Sequence, residues 1–146
     1  MSYKTVTTEA AAKSLAENPK AVYLDVRSQG EFAAGHPAGA INIPIAVAGP
    51  GGMAFNQEFL AVADKVLPKD TTLFVGCASG KRSEAACQVL DQAGYTDLAN
   101  VAGGFSGAKD MMGRIAQPGW TTLGLPVSDD LGEGVSYESL RKKAIG

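Results

Sequence analysis

This chain of 146 residues is poor in the side chains that bind metals and staple small folds: it has one histidine, two cysteines and one tryptophan. The histidine, His36, is far in sequence from Cys77 and Cys87, and the spacing of the two cysteines fits no zinc pattern, so no metal is expected. Two cysteines do not make a disulfide framework, and a reducing compartment would keep both as thiols. No stretch reaches the roughly 18 consecutive apolar residues of a membrane-spanning helix. The start, Met1-Ser2-Tyr3-Lys4-Thr5, lacks the basic and apolar parts of a signal peptide, which makes the cytoplasm the expected location. An excess of charge of one sign is also missing. The net charge is −2, with both signs spread along the chain, and neither nucleic acid nor a membrane surface is an expected partner. There is no internal repeat and no low-complexity segment.

Hydrophobic residues make up 45% of the chain, enough for the core of one domain. Thr7-Thr8-Glu9 reads as the capped start of a helix over 10–17, stopped by Asn18-Pro19. Segment 21–26 reads as a short buried strand, 29–34 as a short helix, and 40–43 as a second core strand stopped by Pro44. Ala48-Gly49-Pro50-Gly51-Gly52 is the most flexible stretch by composition. Asn56 is a candidate cap for a helix over 57–66, with Phe59, Leu60, Ala63, Val66 and Leu67 as its apolar stripe. A third core strand is expected over 72–75 and a helix over 83–93, with Ala86, Val89, Leu90 and Ala93 on the sheet side and Gly94 as its stop. A fourth core strand falls over 98–102, and 4–6 is an edge strand. Short apolar strands alternating with amphipathic helices predict an α/β fold: a mostly parallel central sheet of about five strands with helices on both faces. Such sheets bind ligands beyond the carboxyl ends of their strands.

Cys77 falls at one of those ends. It closes the apolar run Thr72-Leu73-Phe74-Val75-Gly76 and opens the polar loop Ala78-Ser79-Gly80-Lys81-Arg82. A thiol between a buried strand and a helix start is well placed to ionise: backbone N–H groups, the positive helix end, Lys81 and Arg82 all favour the thiolate. The arrangement is that of a nucleophile, and of an anion site.

Several motifs around this loop are similar to those of one family. Asp25-Val26-Arg27 with Glu31-Phe32 is similar to a first signature of the single-domain rhodaneses, and Gly35-His36-Pro37-Ala38-Gly39-Ala40-Ile41-Asn42-Ile43-Pro44 to a second. Pro37 departs from the bulky aliphatic residue that the family more often has there. Cys77-Ala78-Ser79-Gly80-Lys81-Arg82 looks like the family's six-residue active-site loop. Gly103-Gly104-Phe105 and Gly124-Leu125-Pro126-Val127 resemble its C-terminal signature. The resemblance implies a rhodanese-like three-layer fold over 1–128, with 129–146 as a C-terminal extension. It also implies a thiosulfate-type sulfurtransferase without metal or cofactor, whose Cys77 becomes a persulfide. Ala78, Ser79, Gly80, Lys81 and Arg82 would bind substrate: amides converging on the outer sulfur, Gly80 giving curvature, Ser79 a further donor, Lys81 and Arg82 attraction for an anion. The expected partners are a small anionic sulfur donor and a thiophilic acceptor, either of which can be a protein. A persulfide carrier or interaction module serving a protein partner is the alternative. Phosphatases and arsenate reductases on the same scaffold are disfavoured by loop length: Arg82 is the fifth residue after Cys77, whereas a tyrosine-phosphatase-type loop would have its arginine at the sixth, Ser83.

Other polar residues read as structural. Cys87 sits in a helix body beside the apolar stripe, where nothing lowers its pKa or brings it to Cys77. Asp25, Arg27 and Glu31 are expected to form an ion-pair network that fixes a turn, and His36 a structural hydrogen bond. Segment 109–118, with Met111, Met112 and Ile115, is expected to pack over the sheet end or to form a lip near the site. In the tail, a capped helix over 136–145 is expected with Leu140 and Ile145 as anchors. A docked tail, a dimer contact and a disordered end are all open, as is a role for either stretch in acceptor access.

Overall fold

The computed structural model describes residues 3–146. Five parallel strands form the central sheet: β1 (Lys4–Val6), β2 (Val22–Asp25), β4 (Ile41–Asn42), β7 (Leu73–Gly76) and β8 (Leu98–Val101), in the order β1-β8-β7-β2-β4. Two-residue periodicity sorts their side chains. Leu24, Leu73, Val75 and Leu98 point to one face, where they pack with α3 (Phe59–Val66), α4 (Lys81–Gln92) and α5 (Tyr137–Ile145). Tyr23, Phe74, Ala99 and Val101 point to the other, where Ala11 of α1 (Thr8–Glu17), Phe32 of α2 (Gln29–Ala34) and Trp120, from the turn after residue 117, cover them. The expected α/β sandwich is therefore present, with all five strands parallel. Continuing the row of Leu73 and Val75, Cys77 falls on the α4 face.

The helix ends follow local chemistry. Thr7 caps α1 by accepting from the Ala10 amide, and Asn18 ends it. Ser28 and Glu31 form a reciprocal capping box at α2. Asn56 does not cap α3, which begins at Phe59 rather than at 57. The Asn56 carboxamide oxygen accepts from the Glu58 amide, and its nitrogen donates to the Pro44 carbonyl (2.9 Å) and the Tyr137 hydroxyl (3.0 Å). It is spent on tying the pre-helix turn to the tail. The glycine-rich stretch after residue 47 is also more ordered than composition suggests: β5 (Ala46–Gly49) and β6 (Gly52–Phe55) pair as an antiparallel hairpin around Pro50 and Gly51.

Segment 109–118 belongs to a second hairpin, β9 (Ala108–Lys109) with β10 (Ile115–Gln117). It does not lay its apolar residues over the sheet: Met111 is fully exposed, and Met112 and Ile115 also face solvent. Its base, however, adjoins the Cys77 loop through residues 103–107. The short strand β11 (Val127–Ser128) pairs antiparallel with β3 (His36–Pro37).

The tail is docked. The Val135 carbonyl accepts from the Asn42 amide on the edge strand β4, α5 packs on α3, and Arg141 forks onto Glu58 at 2.8 and 2.9 Å. Leu140 is an anchor at 4% exposure, but Ile145 is 45% exposed and Tyr137 takes the second buried place. The helix turns residues 137, 140 and 144 inward, and 145 lies off that stripe. Leu140→Ala is expected to destabilise the fold by about 2–3 kcal/mol, whereas Ile145→Ala costs under about 0.5 kcal/mol. Urea or thermal denaturation checks both, and equal effects would mean that the tail is not held this way.

Candidate active site

Strand β7 ends at Gly76 and α4 begins at Lys81, so Cys77, Ala78, Ser79 and Gly80 make the whole turn. Lys81 and Arg82 thus open the helix, two residues before the start expected at 83. The cap is Gly80 itself, at φ 102, a left-handed conformation that glycine adopts without strain, and no side chain caps this end. In the first turn, the amides of Lys81, Arg82 and Ser83 have no partner inside the helix.

The turn is held by its carbonyls. The Phe105 amide donates to the Cys77 carbonyl (2.7 Å) and the Ser106 amide to that of Ala78 (3.0 Å). The Gly80 carbonyl accepts from the Glu84 amide (3.2 Å) and the Asn100 side chain (3.4 Å). In a trans peptide the N–H points opposite to the C=O, so these anchors turn the amides of Ala78, Ser79 and Lys81 the other way. Gly104, at φ 58, makes the close approach possible, because a Cβ there would collide with the carbonyl oxygens of Cys77 and Ala78.

Cys77 is 1% exposed at the floor of this turn. Its Sγ accepts from the Gly80 amide at 3.1 Å and lies 3.5 Å from the Ser83 hydroxyl. Of the two loop cations, Lys81 is exposed, while Arg82 donates through two nitrogens to Glu31, at 2.7 and 3.0 Å. The Arg82 charge is therefore compensated, and what it adds to the turn directly is its backbone amide. Glu31 also accepts from the Ser28 amide and hydroxyl. These bonds, those from Arg82 above all, pull its carboxyl down from the usual carboxylate range to about 2.

Asp25 and Arg27 form a separate, buried pair at 2.7 Å. Arg27 also donates to the Gly35 carbonyl (2.7 Å) and lies over the Phe105 ring, 4.3 Å from its centre. The expected network is thus two networks, with Glu31 serving Arg82 and Asp25 serving Arg27. His36 is buried, bonded through Nδ1 to the Phe32 carbonyl (2.8 Å) and stacked on the Phe32 ring. Cys87 is fully buried in α4, and burial pushes its thiol up to about 12, which makes it inert near neutral pH.

Ser83 and Asn100 escaped the sequence reading. Ser83 is in phase with Ala86, Cys87 and Leu90 on the buried stripe of α4, and a serine in that phase was the available signal. Among the described residues no cluster of His, Cys, Asp or Glu is arranged to hold a metal, and no helix is long and apolar enough to cross a membrane. A cavity of about 540 Å³ beside Val22 and Thr72 lies at the amino ends of β2 and β7, away from Cys77.

A thiol that accepts a backbone amide at the carboxyl edge of a parallel sheet places the chain in the class of α/β domains that bind their ligands at that edge. Comparison with known proteins places the chain within that class. A family model described as Rhodanese-like domain matches residues 8–111, and the chain belongs to that family. It is 42% identical over 84 residues to thiosulfate sulfurtransferase 16, chloroplastic, of Arabidopsis thaliana, covering 58% of this chain and 70% of that one. It is 27% identical over 122 residues to a sulfurtransferase of Allochromatium vinosum, covering 84% and 92%. Among solved structures, Rv0390 from M. tuberculosis matches with a TM-score of 0.71 and 31% identity, over 87% of this chain and 98% of that one. The chain spans 62%, 50% and 52% of three further Arabidopsis relatives. Relatives named as chloroplastic and mitochondrial mean that family membership does not carry the expected cytoplasmic location.

The Glu31 carboxyl has a pH signature. A carboxyl depressed on folding stabilises fully above its unfolded value, near 4.5, and the contribution is lost as pH falls through about 2. The pair is over a third exposed, so its worth is about 1 kcal/mol or less. Glu31→Gln is expected to cost that amount at pH 7, with the gap to the native chain closing between pH 4.5 and 2. Denaturant titrations at several pH values check it, and a gap independent of pH would refute the ionic origin.

Proposed function

We propose that this protein is a sulfurtransferase that carries sulfane sulfur as a persulfide on Cys77, with thiosulfate as the class of donor. The observation that carries the reading is the four-residue turn itself: Sγ sits on its floor, takes the Gly80 amide at 3.1 Å and faces the open end of α4. The Cys77 thiolate attacks the outer sulfur of thiosulfate, an Sγ–S bond forms, the donor's S–S bond breaks, and sulfite leaves with the electron pair. A thiophilic acceptor then attacks the outer sulfur, and Cys77 departs as thiolate. The amides of Ala78, Ser79, Gly80, Lys81 and Arg82 stabilise the charge on the outer sulfur, and the exposed Lys81 draws in the anionic donor. The names of the two sulfurtransferase relatives support the same chemistry.

A second reading, a persulfide carrier for a protein partner, is favoured by the Arg82–Glu31 pair, which leaves Lys81 as the uncompensated loop cation for a small anion. Mixing the protein with thiosulfate, taking an intact mass, then adding cyanide and following thiocyanate separates the two. A sulfur adduct on Cys77 with prompt thiocyanate release is expected. Loading only by a cysteine desulfurase would establish the carrier, and phosphate-ester hydrolysis without any adduct would overturn both. Cys77→Ser is expected to lose at least about a thousandfold in turnover, and Cys87→Ser to leave turnover nearly unchanged.

A further inference from the structure

Two buried polar residues beside the thiol have no part in the chemistry above. Ser83, in the first turn of α4, and Asn100, on β8, meet on the sheet face that carries Cys77. Ser83 Oγ is 2.6 Å from Asn100 Oδ1 and 3.5 Å from Cys77 Sγ, and Asn100 Nδ2 is 3.4 Å from the Gly80 carbonyl. A carbonyl only accepts, so the Asn100 amide must turn its nitrogen to Gly80 and its oxygen to Ser83. That oxygen also only accepts. The hydroxyl has a single hydrogen, which goes to Asn100 at the shorter distance and leaves an oxygen lone pair facing Sγ. A neutral Cys77 thiol fits this state as donor to Ser83. Once the thiol proton has gone to solvent, the sulfur only accepts, and rotation about the Ser83 C–O bond brings the hydroxyl hydrogen onto it without displacing a heavy atom.

We propose that Ser83 is a catalytic hydroxyl that shifts its one hydrogen from Asn100 to the Cys77 sulfur whenever that sulfur is negatively charged, with Asn100 as the positioning residue that holds the hydroxyl in reach. The proposal deepens the Cys77 reading and rests on it. The hydroxyl acts twice. It supports the attacking thiolate, and it supports the same thiolate as leaving group when the Sγ–S bond breaks and the electron pair returns to Sγ. In the persulfide between these steps the charge lies on the outer sulfur, and the hydrogen returns to Asn100. Whenever Sγ carries the charge, Gly80 N–H and Ser83 O–H are its two donors, and Asn100 aligns both, through the Gly80 carbonyl and through Ser83.

The test is alkylation of Cys77 by iodoacetamide across pH, which needs no sulfur donor. Ser83→Ala is expected to slow alkylation at neutral pH about three- to tenfold and to move the pH profile alkaline by about half a unit to one unit, the size of a lost charge-assisted hydrogen bond. Ser83→Thr keeps the hydroxyl and is expected to restore the profile, and Ser83→Gly, should the alanine variant not fold, is read in the same way. In cyanide discharge kcat is expected to fall while KM for thiosulfate holds. Asn100→Ala should cost much less in the Ser83→Ala background than in the native chain. An unmoved alkylation profile in a folded Ser83→Ala variant overturns the role of the hydroxyl, and an equal Asn100→Ala cost in both backgrounds overturns the relay. Failure of thiosulfate to load Cys77 would instead strike the sulfur-transfer reading, with the alkylation profile still reporting on Ser83.

Discussion

The turn around Cys77 depends on its carbonyl oxygens being held from outside. A chain that curls four residues between a strand and a helix must place its carbonyls on one side if its amides are to gather on the other. Here the amides of Phe105 and Ser106 take the carbonyls of Cys77 and Ala78, and Asn100 helps to take that of Gly80. The strap can come this close because residue 104 has no side chain. Phe105 is fixed in turn by the Arg27 guanidinium over its ring, and Arg27 by the buried Asp25 carboxylate. The thiol loop, the strap and the Asp25-Val26-Arg27 turn are therefore one mechanical unit, though they are dispersed in sequence. Losing either member of the buried pair would leave an uncompensated charge under the strap, at a cost of about 3–5 kcal/mol.

Cation placement follows from the same geometry. Lys81 and Arg82 occupy the first turn of α4, where the helix dipole disfavours positive charge. Glu31 offsets this for Arg82, using a carboxylate that the capping box of α2 already orients. The pairing links the start of α2 to the start of α4 across the carboxyl edge of the sheet. Lys81 stays exposed, so the positive potential at the mouth of the turn comes from one side chain and the unpaired first-turn amides rather than from two cations.

Much of this was legible in the chain. The strand before Cys77, a threonine cap ahead of the first helix and the helix over 29–34 follow from local rules that the structure obeys, and the signatures around the loop follow from the family resemblance. The failures also have local causes. The sequence puts the start of α4 two residues late because Lys81 and Arg82 fall within the six-residue loop motif, and because the cap is a glycine in a left-handed conformation, with no side chain to announce it. Ala48-Gly49-Pro50-Gly51-Gly52 reads as flexible because glycine and proline mark mobile chain and tight hairpin turns alike, and only the pairing partner decides. Ile145 looked like an anchor because hydrophobicity does not reveal helical phase at a terminus. Ser83 and Asn100 were passed over because each is a polar residue within an apolar pattern, and their meaning lies in a contact between α4 and β8.

The shortness of the turn also bears on what it can hold. Starting α4 at Lys81 leaves four residues to bridge strand and helix, and Cys77 is almost fully buried beneath them. A tetrahedral oxyanion needs amides disposed around three peripheral oxygens, which calls for a wider loop. In the proposed persulfide the outer sulfur presents one charged atom to the turn, for which the amides turned away from the anchored carbonyls are the donors. On the proposed reading, the loop length counted in the sequence and the helix start at Lys81 both suit a one-atom cargo.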